Sequence, residues 1–256
     1  MSNEPTTGMP VQTFASFDGQ LIAWREVGEG RPVVLLHGLF SDATTNWIRF
    51  GTAATIAAAG FRVIMPDFRA HGLSAKPHDA AAYPVDVLSR DIEALVAHLG
   101  LTDFDLGGYS LGSRTVVRLL VRGMRPRRVV LAGMGLAGLI ESNRRTAWFL
   151  HVIAQPDSFE RGTPGWLAAQ FMKTNKIDGE AVSHLLRAQA ETTIEAVRAL
   201  ATPTLVVCGA ADQDNGSAPE LAAALRNARY VEVPGTHMSS VTMPELGGAI
   251  AAFLAA

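Results

Sequence analysis

Short runs of β-branched and aromatic residues alternate along this chain with longer stretches whose apolar residues recur at helical spacing. This alternation restricts the possible folds more than any other feature. A strand that is followed by a helix and then by another strand returns parallel to the first, so the pattern predicts an α/β fold, a mostly parallel sheet wrapped by helices. Eight runs qualify as strands: "VQTFASF", "QLIAWREV", "PVVLLH", "FRVIMP", "FDLGGY", "RRVVLAG", "TLVVCG" and "ARYVEV". Asp18-Gly19 separates the first two, and an Asp-Gly pair favours a tight hairpin turn, so the sheet is expected to begin antiparallel.

Between the fourth and fifth runs, "VDVLSRDIEALVAHLG" places Leu88, Ile92, Leu95, Val96 and Leu99 on one helical face, and Gly100 follows as a C-cap. The interval between the sixth and seventh runs, residues 134–202, is too long for one crossover and contains amphipathic stretches such as "EAVSHLLRAQA". It is expected to form a helical cap inserted into a core domain made of residues 1–133 and 203–256. At 256 residues, with 48% hydrophobic and 18% charged side chains, the chain has the composition of a globular protein with a large core.

Composition also excludes several function classes. The formal charge is −2, and the densest basic stretch, "RGMRPRR", reads as a solvated helix end and turn, so no nucleic-acid partner is expected. The single cysteine, Cys208, excludes an intramolecular disulfide and a cysteine metal cluster, and no pair of the seven histidines has metal-ligand spacing. Neither a metal nor a cofactor is expected. The start, "MSNEPTTGMP", is polar and acidic where a leader would be basic and then apolar, and no apolar run reaches membrane-spanning length. A cytoplasmic protein without a membrane partner is the expectation.

The chemistry centres on "FDLGGYSLGSRTVVRLL". Gly108-Tyr109-Ser110-Leu111-Gly112 fits G-x-S-x-G, follows a strand pattern and opens a helical one, the context in which a sharp turn can hold a serine hydroxyl out as a nucleophile. With 24 glycines in the chain, about one match per ten such sequences arises by chance, so Ser110 needs partners before it reads as more than a turn serine. A serine hydroxyl requires a base to take its proton and a third group to orient that base. Asp212 lies just past the seventh run in "CGAADQDNG", and His237 lies just past the eighth in "VPGTHMSS". Loops at the carboxyl ends of parallel strands share one crevice, so the three can meet. An oxyanion would be held by the backbone N–H of Leu111 and by one from "LLHGLFS", with Leu39 the expected donor and Phe40 its near alternative.

Five motifs in order, "HGLF", "DFRAHGLS", "GYSLG", "GAAD" and "GTH", resemble those of the serine-nucleophile, esterase-like members of the α/β-hydrolase superfamily, over nearly the whole chain outside the expected cap. The resemblance implies an eight-stranded sheet and a Ser110–His237–Asp212 triad, the family spacing from Gly209 selecting Asp212 over Asp214. It implies that His37, His71, Arg69 and Ser74 anchor loops rather than transfer protons. Ala70 departs from the family, which usually has glycine there. Asn46-Trp47 adds a likeness to small bacterial esterases of this fold. Trp148, Phe149, Trp166, Phe171, Met172 and Met238 are the candidates for an apolar acyl pocket, although helix packing alone also accounts for the aromatic residues among them.

These features imply hydrolysis of a small-molecule ester of a small to medium apolar acid through an acyl-enzyme. Lactone opening, carbon–carbon bond hydrolysis and cofactor-free perhydrolysis use the same three residues. Serine at the elbow argues against dehalogenase and epoxide-hydrolase chemistry, which the resemblance associates with aspartate. A receptor that keeps the scaffold with little turnover is the rival from another class, and multiple turnover on activated esters separates the two.

Overall fold

The computed structural model describes residues 9–256; Met1–Gly8, on which the expectation about a leader falls, lie outside the described residues. The eight expected strands form one sheet: β1 (Gln12–Ala15), β2 (Leu21–Val27), β3 (Arg31–Leu36), β4 (Phe61–Pro66), β5 (Asp105–Tyr109), β6 (Val129–Ala132), β7 (Thr204–Gly209) and β8 (Ala228–Val233). Their spatial order is β1-β2-β4-β3-β5-β6-β7-β8. β1 pairs antiparallel with β2 in the register Phe14 to Ile22, β2 pairs antiparallel with β4, and every later pairing is parallel. The Asp18-Gly19 hairpin therefore does reverse the chain, with Gly19 at a φ of 83° that glycine adopts without strain.

Helices cover both faces. α1 (Thr52–Ala58) and α10 (Pro244–Ala255) pack on one side, over Val33, Leu35, Val63, Val130 and Val207. α2 (Val87–His98) and α3 (Leu111–Val121) pack on the other, over Val34, Leu36, Leu106 and Leu131. Successive strand residues thus feed opposite faces, and both faces are covered, as the continuous apolar runs of the central strands require. In α2 the expected stripe holds: Leu88, Ile92 and Leu95 are buried, with Val96 and Leu99 packed against the same cluster and Gly100 at a φ of 62° beyond the last turn.

Between β6 and β7 the chain runs through α4 (Leu136–Ile140), α5 (Ser142–Ala154), α6 (Pro164–Thr174), α7 (Gly179–Arg187) and α8 (Ile194–Ala199). Three of these begin at side chains suited to a free helix N-terminus: Thr163, Asp178 and Thr193 accept from the backbone N–H of Trp166, Ala181 and Ala196. This segment touches the loop after β3, where Asn175 Nδ2 donates to the Phe40 carbonyl at 2.9 Å and the Phe149 ring meets Phe40 edge-on at 5.5 Å. α9 (Ala218–Ala224) connects β7 to β8.

The central position of β5 matters most for the site. Its carboxyl end lies between those of β3 and β6, with β7 and β8 beyond, so the loops carrying Gly38, Ser110, Asp212 and His237 open on one edge of the sheet.

Candidate active site

Ser110 joins β5 directly to α3, with backbone angles of φ 53° and ψ −110° that a residue with a Cβ rarely adopts. The turn is held by backbone contact on both sides. A Cβ on Gly108 would lie 2.2 Å from the Gly112 carbonyl carbon, and one on Gly112 would lie 2.1 Å from the Leu36 carbonyl oxygen. Only glycine fits at either place, so the two glycines of the motif bring β3, β5 and the first turn of α3 together. Ser113, one turn in, donates to or shares its hydroxyl with the carbonyls of Gly108 at 2.7 Å and Ala132 at 2.8 Å, clamping helix to strands.

The structure brings Ser110, His237 and Asp212 into a line. His237 Nε2 is 3.0 Å from Ser110 Oγ, and His237 Nδ1 is 2.8 Å from Asp212 Oδ2. The Asp212 side chain is 1% exposed and that of His237 12%. Burial by itself would raise the Asp212 pKa, but hydrogen bonds from His237 and the backbone N–H of Asp214, with the charge of His237, hold the carboxyl below its usual range. Asp214 is exposed and meets Asp212 through its backbone, its N–H donating to Asp212 Oδ1 at 3.0 Å. Such a line lets a serine proton pass to the imidazole while the carboxylate holds the opposite ring nitrogen.

Two groups around this line escape sequence reasoning. Cys208 Sγ donates to Asp212 Oδ2 at 3.3 Å, and burial with the adjacent carboxylate pushes its thiol up to about 12. Tyr109 Oη donates to the His237 carbonyl at 2.6 Å and lies 2.8 Å from Ser240 Oγ, while its ring packs 5.3 Å from the His237 imidazole. Burial pushes that phenol far up, so it stays protonated and ties the elbow to the histidine loop. Tyr109 occupies the variable position of G-x-S-x-G, which is the one sequence clue to it.

The loop after β3 is fixed by a reciprocal lock. The Phe68 N–H donates to His37 Nε2 at 2.9 Å, and the Phe40 N–H donates to His71 Nε2 at 3.2 Å. Each ring can accept there only if its Nδ1 carries the proton, and each Nδ1 faces a carbonyl: Gly38 at 2.8 Å for His37, Arg69 at 3.1 Å for His71. Burial above all pushes His71 down to about 3, and burial likewise lowers His37, so both stay neutral acceptors. The lock also engages one of the two N–H groups that the sequence offers as oxyanion donors. The N–H of Phe40 is engaged by His71 and that of Gly38 by Asn46 Oδ1 at 2.9 Å, whereas among the described residues the N–H of Leu39 has no partner. The N–H of Leu111, first in α3, has no intrahelical acceptor.

The neighbouring loop is anchored as firmly. Arg69, fully buried, reaches both Asp91 oxygens at 3.0 and 2.7 Å and both Asp18 oxygens at 2.6 and 2.9 Å. Ser74 Oγ donates to the Asp67 carbonyl at 2.6 Å and accepts from the Ala23 N–H at 2.9 Å. Ala70 sits between them at a φ of 68°, which accounts for the glycine usual there.

A small cavity of about 20 Å³ opens beside Ser110. Leu39, Leu111, Phe149 and Leu186 form apolar walls, and Arg114 and Arg145 reach it as well. Of the six expected pocket residues, only Phe149 lines this cavity. Trp148 and Met238 are 37% and 50% exposed, Met172 is buried in the core, Phe171 packs against that core, and Trp166 lies under Arg161 at 5.8 Å. Helix packing and surface position account for these five, since nothing in local spacing tells which face of a helix meets a cavity. No helix among the described residues is long and apolar enough to cross a membrane.

The sequence profile of the alpha/beta hydrolase fold matches residues 31–168, and the chain belongs to that family. A non-heme haloperoxidase from Rhodococcus erythropolis is 30% identical over 253 residues, covering 85% of this chain and 89% of that protein. The dihydrolipoyllysine-residue acetyltransferase component of an acetoin cleaving system from Pseudomonas putida is 38% identical over 136 residues, which is 52% of this chain but 35% of that longer protein. An esterase structure from Thermogutta terrifontis is similar in fold, with a TM-score of 0.73 at 24% identity over 96% of this chain and 98% of that one.

Proposed function

We propose that the protein hydrolyses carboxylic esters of small acids through an acyl-enzyme on Ser110, with residues 134–202 capping the site. The observation that carries the reading is the unbroken line from Asp212 through His237 to Ser110 at 2.8 and 3.0 Å. Ser110 Oγ bonds to the ester carbonyl carbon as His237 Nε2 takes its proton, and the N–H groups of Leu39 and Leu111 hold the negative oxygen that results. The carbon–oxygen bond to the alcohol then breaks, and His237 returns the proton to the departing alkoxide. Water, deprotonated by His237, attacks the acyl carbon and frees the acid and Ser110. Asp212 keeps the imidazole in the acceptor tautomer and balances its charge when protonated.

Turnover of 4-nitrophenyl acetate and butyrate tests the reading: wild type releases many nitrophenolate equivalents, and Ser110→Ala loses at least about a thousandfold in kcat. Retained turnover in Ser110→Ala, or a single stoichiometric burst in wild type, refutes it, the burst favouring the receptor. The haloperoxidase similarity favours a second reaction at the same serine, in which hydrogen peroxide in place of water attacks the acyl carbon and leaves as a peracid. Peracid formed from acetate and hydrogen peroxide, abolished in Ser110→Ala, is its measure.

A further inference from the structure

Arg114 lies on α3 one turn beyond Ser110, its own N–H donating to the Ser110 carbonyl at 3.1 Å. Its side chain lines the cavity beside Ser110 and the whole residue is 6% exposed. Its Nε is buried without a hydrogen-bond partner, and among the described residues no carboxylate forms a salt bridge with it. A guanidinium in that position is costly, because a buried charge is ordinarily matched by an opposite one. Among the described residues, the one charge that acts on it worsens the imbalance. Arg145, on α5, reaches the same cavity, lies over the Phe149 ring at 5.5 Å and donates to the Asp214 carbonyl. Burial, then the charge of Arg145, pushes Arg114 down to about 10, so it remains a cation at neutral pH. Asp212 and Asp214 partly offset Arg145, and neither offsets Arg114.

We infer that the acyl group this site accepts carries a carboxylate, bound by Arg114 with Arg145 beside it, so that the substrate is a half-ester of a short dicarboxylic acid rather than an ester of an apolar one. This rests on the acyl-enzyme reading above. The apolar walls would flank the connecting carbons, while the fork of Arg114 supplies the opposite charge that the protein itself omits. Four residues of α3 advance about 6 Å along its axis, and that spacing between the serine turn and Arg114 suits a chain of four to six carbons.

The test compares 4-nitrophenyl glutarate with 4-nitrophenyl pentanoate, which share a leaving group and a five-carbon acyl chain. Wild type is expected to prefer the glutarate by roughly ten- to a hundredfold in kcat/KM. In Arg114→Met the ratio collapses to about one, and in Arg114→Lys it falls between. Because the ratio is taken within each variant, a loss common to both esters cancels. Glutarate itself should raise the Tm of Ser110→Ala protein and leave that of Ser110→Ala/Arg114→Met unmoved. Equal use of the two esters by wild type, or a preference that survives Arg114→Met, overturns the inference while leaving the Ser110 reading intact. Absence of turnover on both esters overturns the Ser110 reading instead. The thermal shift then decides the anion site independently, a shift dependent on Arg114 supporting it and none refuting it.

Discussion

Gly112→Ala is the most direct probe of how the elbow is built. The added Cβ falls 2.1 Å from the Leu36 carbonyl oxygen, 2.6 Å from its carbon and 2.9 Å from the His37 carbonyl oxygen. These are backbone atoms at the end of β3, so no side chain can swing aside. Restoring an ordinary contact near 3.4 Å requires about 1.3 Å of movement between α3 and the loop holding Leu39. Overpacking of this kind costs about 1–3 kcal/mol, which for a chain of this length lowers Tm by roughly 2–10 °C. The larger effect is on chemistry. The N–H groups of Leu111 and Leu39 belong to the two pieces forced apart, and a misplacement of about 1 Å costs on the order of a hundredfold in rate. The expected outcome is a folded protein whose kcat on 4-nitrophenyl butyrate falls about a hundredfold or more with little change in KM. Gly248→Ala is the control, since a Cβ there meets nothing within 4 Å on an α10 position and should be neutral or slightly stabilising. If Gly112→Ala matches wild type in both Tm and kcat, the close approach of α3 to β3 does not form the site.

Asp212→Asn keeps the shape but not the charge, and kcat should drop by about a thousandfold or more. Its pH dependence has a definite sign. The folded Asp212 pKa lies below the usual 3.8, so its contribution to stability is present above that pH and is lost as pH falls towards the folded value. Urea midpoints should therefore show wild type losing ground to Asp212→Asn below about pH 4. Arg69→Met removes the guanidinium paired with Asp91, which burial already pushes upward, and leaves it the Ser16 hydroxyl; the loss should cost about 3–5 kcal/mol with a matching fall in urea midpoint. Cys208, with its thiol at about 12, is thiolate in only about one molecule in ten thousand at pH 8, so iodoacetamide should label it after unfolding and not before.

The strands and the three-residue line were legible because each rests on local rules. Continuous apolar runs between helical stretches mark buried parallel strands, and loops that follow such strands open on one edge whatever the detail of their turns. His37 and His71 were legible as anchors only through resemblance; the exchange between them depends on two loops meeting, which spacing does not encode. The pocket was the least legible part. Trp148 and Phe149 are adjacent on α5, yet Phe149 faces the cavity while Trp148 lies at the surface, a difference set by how α5 lies against the loop after β3.

Arg114 was hidden for a related reason. In "SRTVVRLL" an arginine at helical spacing reads as the solvated side of α3, and Arg118, four residues on, does pair with Asp86 at 2.7 Å. Arg114 lies one turn closer to Ser110, where α5 reaches the same cavity with Phe149 and brings a second cation rather than an acid. The same residue type in the same periodic pattern therefore has opposite consequences, and the difference comes from what the segment after β6 lays over it. A charge that the fold buries and leaves unmatched has to be justified by something outside the fold. Beside a serine hydroxyl with a base 3.0 Å away, the chemically consistent justification is an anion carried by the substrate.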